Sequence, residues 1–182
     1  FIEKRYFLVA DRLESHEPRR YEWQLHGNGG GTSGGDYRRD GQITRWMRDR
    51  AELLVYVPES SGQTLSELDA LHSFEYGQEL THTALRVEHQ GTSTTFLAAL
   101  YPRAYNQPVP LFASVRSTGG RAFEVAAEEW RDWCWLREGI AGGIEFATPW
   151  GLLASDSQFG LLRMAGEQFQ GMVVHGGTRL DL

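Results

Sequence analysis

Cysteine is almost missing from this chain. Cys134 is the only one among 182 residues, so no disulfide closes within the sequence and no thiolate cluster holds a metal. It stands between Trp133 and Trp135, the setting of a buried, inert thiol. Lysine is nearly absent as well: Lys4 is alone, and the rest of the 18 basic residues are arginine, set against 24 acidic residues for a net charge of -6. That balance excludes a nucleic-acid surface, which needs clustered cations to meet phosphates. Arginine pairs planar carboxylates or sulfates in a bidentate way that lysine does not, which suits an acidic polysaccharide, although GC-rich codon usage produces the same bias. No apolar run approaches the roughly 18 residues that span a bilayer, so no membrane segment is expected. Proline is scarce at 6 residues, and long amphipathic helical runs are missing.

What is present is glycine, 21 residues of it, together with 12% aromatics in short runs rich in β-branched residues. Such a pattern predicts many short strands and tight turns. Arg5 to Leu13 is apolar on nearly every position and reads as a central strand covered on both faces. A short polar link leads to Tyr21–His26, where strict alternation puts Tyr21, Trp23 and Leu25 on one face and Glu22, Gln24 and His26 on the other. The run Gly27–Gly35 reads as a mobile loop, and Asp36 to Arg45 as polar and turn-like. Strands are expected near Gln42 to Arg48 and Glu52 to Val57. Leu65, Leu68 and Leu71 keep a helix-like spacing within Thr64 to Gly77, a short helix or an irregular loop. Thr81 to His89 and Thr94 to Tyr101 read as a hairpin about Gly91-Thr92. Further strands follow at Arg121 to Ala127, Trp130 to Arg137, Gly143 to Phe146, Gly151 to Ser155, Gly160 to Met164 and Gln170 to His175. The fold class is therefore all-β, an antiparallel multi-stranded sandwich of stacked sheets, read as one domain over residues 1–182.

Few motifs carry chemistry. Gly29 to Gly34 matches the spacing G-x-G-x-x-G, but no helix pattern begins there to meet a pyrophosphate, and a rim loop is the better reading. None of the six histidines forms a pair at metal-ligand spacing, and His82 and His89 fall on opposite faces of one strand. His26 ends the polar face of its strand just before the glycine loop, where a proton carrier, a sugar contact, a metal ligand or a merely solvated imidazole all fit. Asp11 lies among apolar neighbours and reads as a buried carboxylate in need of partners. Arg131, Trp133, Trp135 and Arg137 share one face of a strand, able either to stack sugars and pair uronates or to pack as core with snorkelling arginines. Trp23, Trp46 and Trp150 read as core.

Tyr6-Phe7-Leu8-Val9-Ala10-Asp11-Arg12, Gln24-Leu25-His26-Gly27, Thr95 to Pro102 and the closing Val173 to Thr178 together resemble the C-terminal sheet region of heparinase II/III-like polysaccharide lyases, which include heparinases and oligoalginate lyases. The resemblance implies an enzyme with an N-terminal α/α toroid and a C-terminal β-sandwich, with the glycan held between them. It also implies cleavage of uronic-acid polymers by β-elimination: a cation or neutral donor offsets the uronate carboxylate, a Tyr or His takes the C5 proton, and an acid protonates the leaving O4. The family's catalytic Tyr, His and Asn or Arg sit largely on the toroid, and its His-Asn-Thr metal segment has no counterpart in these residues.

The chain is accordingly expected to be the C-terminal β-sandwich of a larger bacterial lyase, periplasmic or extracellular, beginning at Phe1 in the middle of an architecture. It forms one wall of the substrate cleft and supplies no catalytic residue, metal ligand or cofactor of its own, a structural metal being compatible with the full-length protein. The expected substrate contacts are His26, Gln24, Glu22, Trp133, Trp135 and Arg131. The expected partners are an acidic polysaccharide and the toroid of the same protein. A free-standing carbohydrate-binding sandwich is the alternative, and a purely structural domain the third reading.

Overall fold

The structure is a computed structural model that describes residues 2, 5–73, 75–139 and 142–181. The described residues form fifteen strands and no helix. They divide into two compact units, Phe1–Gln107 and Pro108–Leu182. The all-β, antiparallel character expected from the glycine and β-branched pattern is what the chain adopts.

In the first unit, β1 (Phe7–His26) and β6 (Leu80–Ala104) pair along nearly their whole lengths as a long antiparallel ribbon. The polar link therefore does not divide β1 into two strands. Between Glu14 and Arg19 the ladder shifts, so that Ser15 to Pro18 face only Thr92 across the ribbon, and Pro18 sits where no backbone donor is needed. The expected hairpin at Gly91-Thr92 is likewise a straight passage through one 25-residue strand. Both sides of Gly91 stay paired to β1, which a reversal would forbid.

The other edge of β6 carries β5 (Gln63–His72) beside its first half and β4 (Ala51–Tyr56) beside its last residues, followed outward by β3 (Ile43–Met47) and β2 (Asp36–Asp40). Two further expectations change here. The segment with helix-like leucine spacing is strand β5, because ten residues of ladder with β6 outweigh a weak periodic preference, and Leu71 is left largely exposed. Asp36 to Asp40 is a strand despite its polarity: it is the outermost strand beyond β3, and Tyr37 alone carries its packing on the core, against Trp46. β1 is also an edge strand rather than a central one: Phe7 and Leu13 are exposed, and Asp11, opposite Phe96, is an exposed carboxylate at that edge rather than a buried one. The core of the unit is Trp46, Val55, Val57, Leu85, Val87, Phe96 and Ala98, flanked by Trp23, Leu25 and Leu65. Each large apolar side chain buried there contributes about 1.5–3 kcal/mol.

The second unit is a two-layer sandwich. One sheet runs in the order β14 (Gln168–His175), β13 (Phe159–Ala165), β10 (Arg131–Arg137), β9 (Gly120–Ala126) and β7 (Leu111–Val115). The other runs β15 (Leu180–Asp181), β12 (Gly151–Ser155), β11 (Ile144–Thr148) and β8 (Ser117–Thr118). Trp133, Trp135, Ala122, Leu162 and Met164 of the first sheet form one core with Ile144, Phe146 and Leu153 of the second. Cys134 is buried and forms no disulfide, as its aromatic neighbours suggested.

Candidate functional site

The register of three strands builds a polar face in the first unit. His26 of β1 stands opposite Ala84 of β6, and His72 of β5 opposite Leu80, so period-two alternation puts Glu22, Gln24 and His26, then His82, Arg86 and Glu88, then Ser66 and His72 on one side of the sheet. Tyr21, Trp23, Leu25, Leu85, Val87 and Leu65 take the other side and face the core. The alternation read for Tyr21–His26 is thus realised, and Glu22, Gln24 and His26 are exposed together.

Their side chains are joined along the strand. Arg20 pairs with Glu22 at 2.7 Å and also with Glu88, and Arg86 pairs with Glu88 at 3.1 Å and donates through Nε to Ser66 Oγ at 3.2 Å. Gln24 Nε2 donates to Glu22 Oε2 at 2.9 Å, leaving its Oε1 toward His26 Nε2 at 3.4 Å. The charges in this strip balance, so it presents ordered donors and acceptors rather than a cationic trap.

Beyond His26 the row continues into the protein. His26 Nδ1 lies 2.9 Å from His82 Nε2, and His82 Nδ1 lies 2.7 Å from His72 Nδ1. Exposure falls from His26 at the surface to His82, which is 3% exposed. Because Gln24 Oε1 can only accept, His26 holds its proton on Nε2 and accepts at Nδ1. With all three rings neutral, His82 then donates from Nε2 to His26 and accepts at Nδ1 from the N–H of His72. Burial pushes the His82 pKa below the ordinary imidazole value, and the neighbouring His72 and His26 push it the same way. The two His82 nitrogens point to different partners, so the three rings form a line and not a tripod around one point. Among the described residues, no group of three or more His, Cys, Asp or Glu is arranged to hold a metal ion.

The glycine run after His26 is fastened to the same strands. Thr32 N donates to Thr81 O at 3.0 Å, and Thr83 N to Gly29 O at 3.0 Å. Glycine is required for the close approach: a Cβ on Gly27 would lie 2.4 Å from the Trp46 ring, whose Nε1 donates to Thr83 O at 2.8 Å. The loop also borders a polar depression of about 500 Å³ with Arg48, Asp49 and Tyr105.

The aromatic cluster of the second unit is placed differently from its reading as a sugar platform. Trp133 and Trp135 are 1% and 0% exposed, enclosed between the two sheets, and have no surface for a ligand. β10 is central in its sheet and covered on both sides, so alternation gave no clue to which tryptophans stay outside. Arg131 is exposed, but it pairs with Glu124 at 2.7 Å and lies over Trp133. Trp150, read as core, is 42% exposed.

His82 and His72 are the site residues that sequence spacing does not reveal. His72 is the one histidine of β5, His82 shares β6 only with His89 on the opposite face, and only the pairing register brings them to His26. In comparison with known proteins, no family model and no curated protein matches this chain.

Proposed function

We propose that this chain is the C-terminal β-sandwich region of a heparinase II/III-like polysaccharide lyase, and that the polar face of β1, β6 and β5 is one wall of a cleft for uronic-acid glycan. The observation that carries the reading is His26: an exposed imidazole held from behind by His82 at Nδ1, whose Nε2 proton makes only a long 3.4 Å contact with Gln24 Oε1 that a ligand carboxylate can replace. A neutral donor in that position meets a uronate carboxylate without adding net charge, and lowers the cost of forming the enolate-like intermediate of β-elimination. Gln24 and Glu22 extend the strip for sugar hydroxyls. Support also comes from the resembling segments at Phe7 to Arg12, Gln24 to Gly27 and Thr95 to Pro102, which occupy two strands that pair with each other.

The test is isothermal titration of the chain with oligoalginate and oligoheparan fragments, together with NMR of the histidine ring protons. Saturable binding that shifts His26 and is lost in His26→Ala supports the reading. Uronate binding elsewhere, or no binding to either polymer, refutes it. In the natural full-length protein, elimination is followed by the ultraviolet absorbance of its unsaturated product, and His26→Ala is expected to slow it.

A further inference from the structure

A second cleft, at one end of the sandwich in the second unit, has a different chemistry. Three hairpin turns meet there: Ala127 to Trp130 between β9 and β10, Pro149 and Trp150 between β11 and β12, and Gly166 and Glu167 between β13 and β14. They line a cavity of about 310 Å³. Hairpin turns on a rigid sandwich can hold side chains in fixed positions while leaving them open to solvent.

We propose that this cleft binds a neutral sugar ring, with Trp150 as its stacking platform. Trp150 packs against the buried Trp133 in a T-shaped contact, ring centroids 5.0 Å apart and planes at 80°. That contact fixes the indole plane while 42% of the residue stays exposed, an arrangement suited to the C–H face of a pyranose. Glu128, Glu129 and Glu167 surround it, exposed, with no ion pair or hydrogen bond on their carboxylates among the described residues. Carboxylates accept hydrogen bonds from vicinal hydroxyl groups.

Charge selects the ligand class. Arg131 is the cation lining the cleft, and its guanidinium is engaged by Glu124, so the mouth is negative and repels uronates. The Arg163 guanidinium stacked on Trp130 at 5.0 Å is neutralised by Asp132 and does not repel a cation, so a cationic sugar is the competing class that the charged control in the test separates. A neutral sugar avoids the repulsion that a uronate meets. This inference is independent of the uronate reading of the polar face, since it concerns different residues and a different charge class.

The experiment uses the whole chain with ¹⁵N-labelled tryptophan and follows the six indole N–H signals during titration with cellohexaose, xylohexaose and mannohexaose, with oligogalacturonate and glucosamine hydrochloride as charged controls. At least one neutral oligosaccharide is expected to shift Trp150 and Trp130 saturably. Trp150→Ala is expected to weaken that binding about tenfold, the scale of one aromatic stacking contact, and Glu167→Gln to weaken it measurably. A dispersed, unchanged Trp135 signal shows that each variant is folded, whereas Trp133 is expected to move in Trp150→Ala because it loses the packed ring. The proposal is overturned if no neutral oligosaccharide shifts Trp150 at millimolar concentration, if only a charged control does so, or if Trp150→Ala binds as well as the parent.

Discussion

His82 Nε2 lies 2.9 Å from His26 Nδ1, so a buried imidazole and an exposed one share a single hydrogen bond. The titratable groups facing His82 are His26 from β1 and His72 from β5, neither of which stabilises a positive charge on it.

The first prediction concerns stability at mildly acid pH. The His82 pKa is depressed in the folded protein, so the unfolded chain binds the extra proton first. Stability contributed by neutral His82 is complete above the unfolded value of about 6.5 and declines as pH falls from there toward the folded value. The steepest slope for one proton is about 1.4 kcal/mol per pH unit. Urea denaturation between pH 7.5 and 5, pH values chosen to bracket the ordinary histidine range of about 6.5, should show this decline, and His82→Leu should flatten it. An equal slope in the variant would assign the effect to other groups.

A second prediction tests the close approach behind the site. Gly27→Ala puts a methyl group where the Trp46 ring lies, so the ring must turn and lose its bond to Thr83 O. Overpacking of this kind costs about 1–3 kcal/mol. Because Gly27 follows His26 directly, the His26 ring signals in NMR should move with the Trp46 indole signal. If Trp46 moves and His26 does not, the loop does not position the histidine.

Much of this architecture was legible from local pattern, and the failures share one physical cause. Tyr21–His26 alternates because one face packs on Trp46, Val55 and Leu85 while the other is wet, so its faces were readable without knowing its neighbours. β5 was misread because its leucines do not all serve the core: Leu65 packs inward, whereas Leu71 is 65% exposed on a strand held by backbone bonds. The same limit hid the histidine row. His26, His82 and His72 are separated in sequence and meet only through the register of β1 on β6 and β6 on β5, a non-local property that no window along the chain contains. Trp133 and Trp135 were indistinguishable from surface aromatics for a related reason, since a strand covered on both faces loses its alternating signature.

The third prediction addresses the buried ion pair of β10 and β13. Asp132 is fully buried and receives Arg163 Nε on one oxygen at 2.6 Å and Arg163 Nη2 on the other. Removing one partner strands the other charge, so Asp132→Leu should cost about 3–5 kcal/mol in chemical denaturation. Replacing both, Asp132→Leu with Arg163→Met, should recover most of that loss because no isolated charge remains. If the double variant is as unstable as the single one, the pair contributes specific bonding beyond charge neutralisation.

The last prediction concerns the sandwich core at Gly160. This glycine faces Trp135 across the β10–β13 ladder, and a Cβ built there would lie 1.9 Å from the indole carbon Cζ2. The indole cannot simply retreat, because it is wholly buried and its Nε1 donates to Ser157 Oγ at 2.9 Å, which in turn contacts Ser155 Oγ at 2.7 Å. Gly160→Ala therefore combines overpacking with loss of a buried hydrogen bond, and about 2–4 kcal/mol of destabilisation is expected. Pairing it with Trp135→Phe removes both the clashing ring and the stranded donor. The double variant should then be more stable than Gly160→Ala alone, as measured by thermal melting. If Trp135→Phe only adds to the loss, backbone strain in β13 and not the indole contact is the reason that glycine occupies this position.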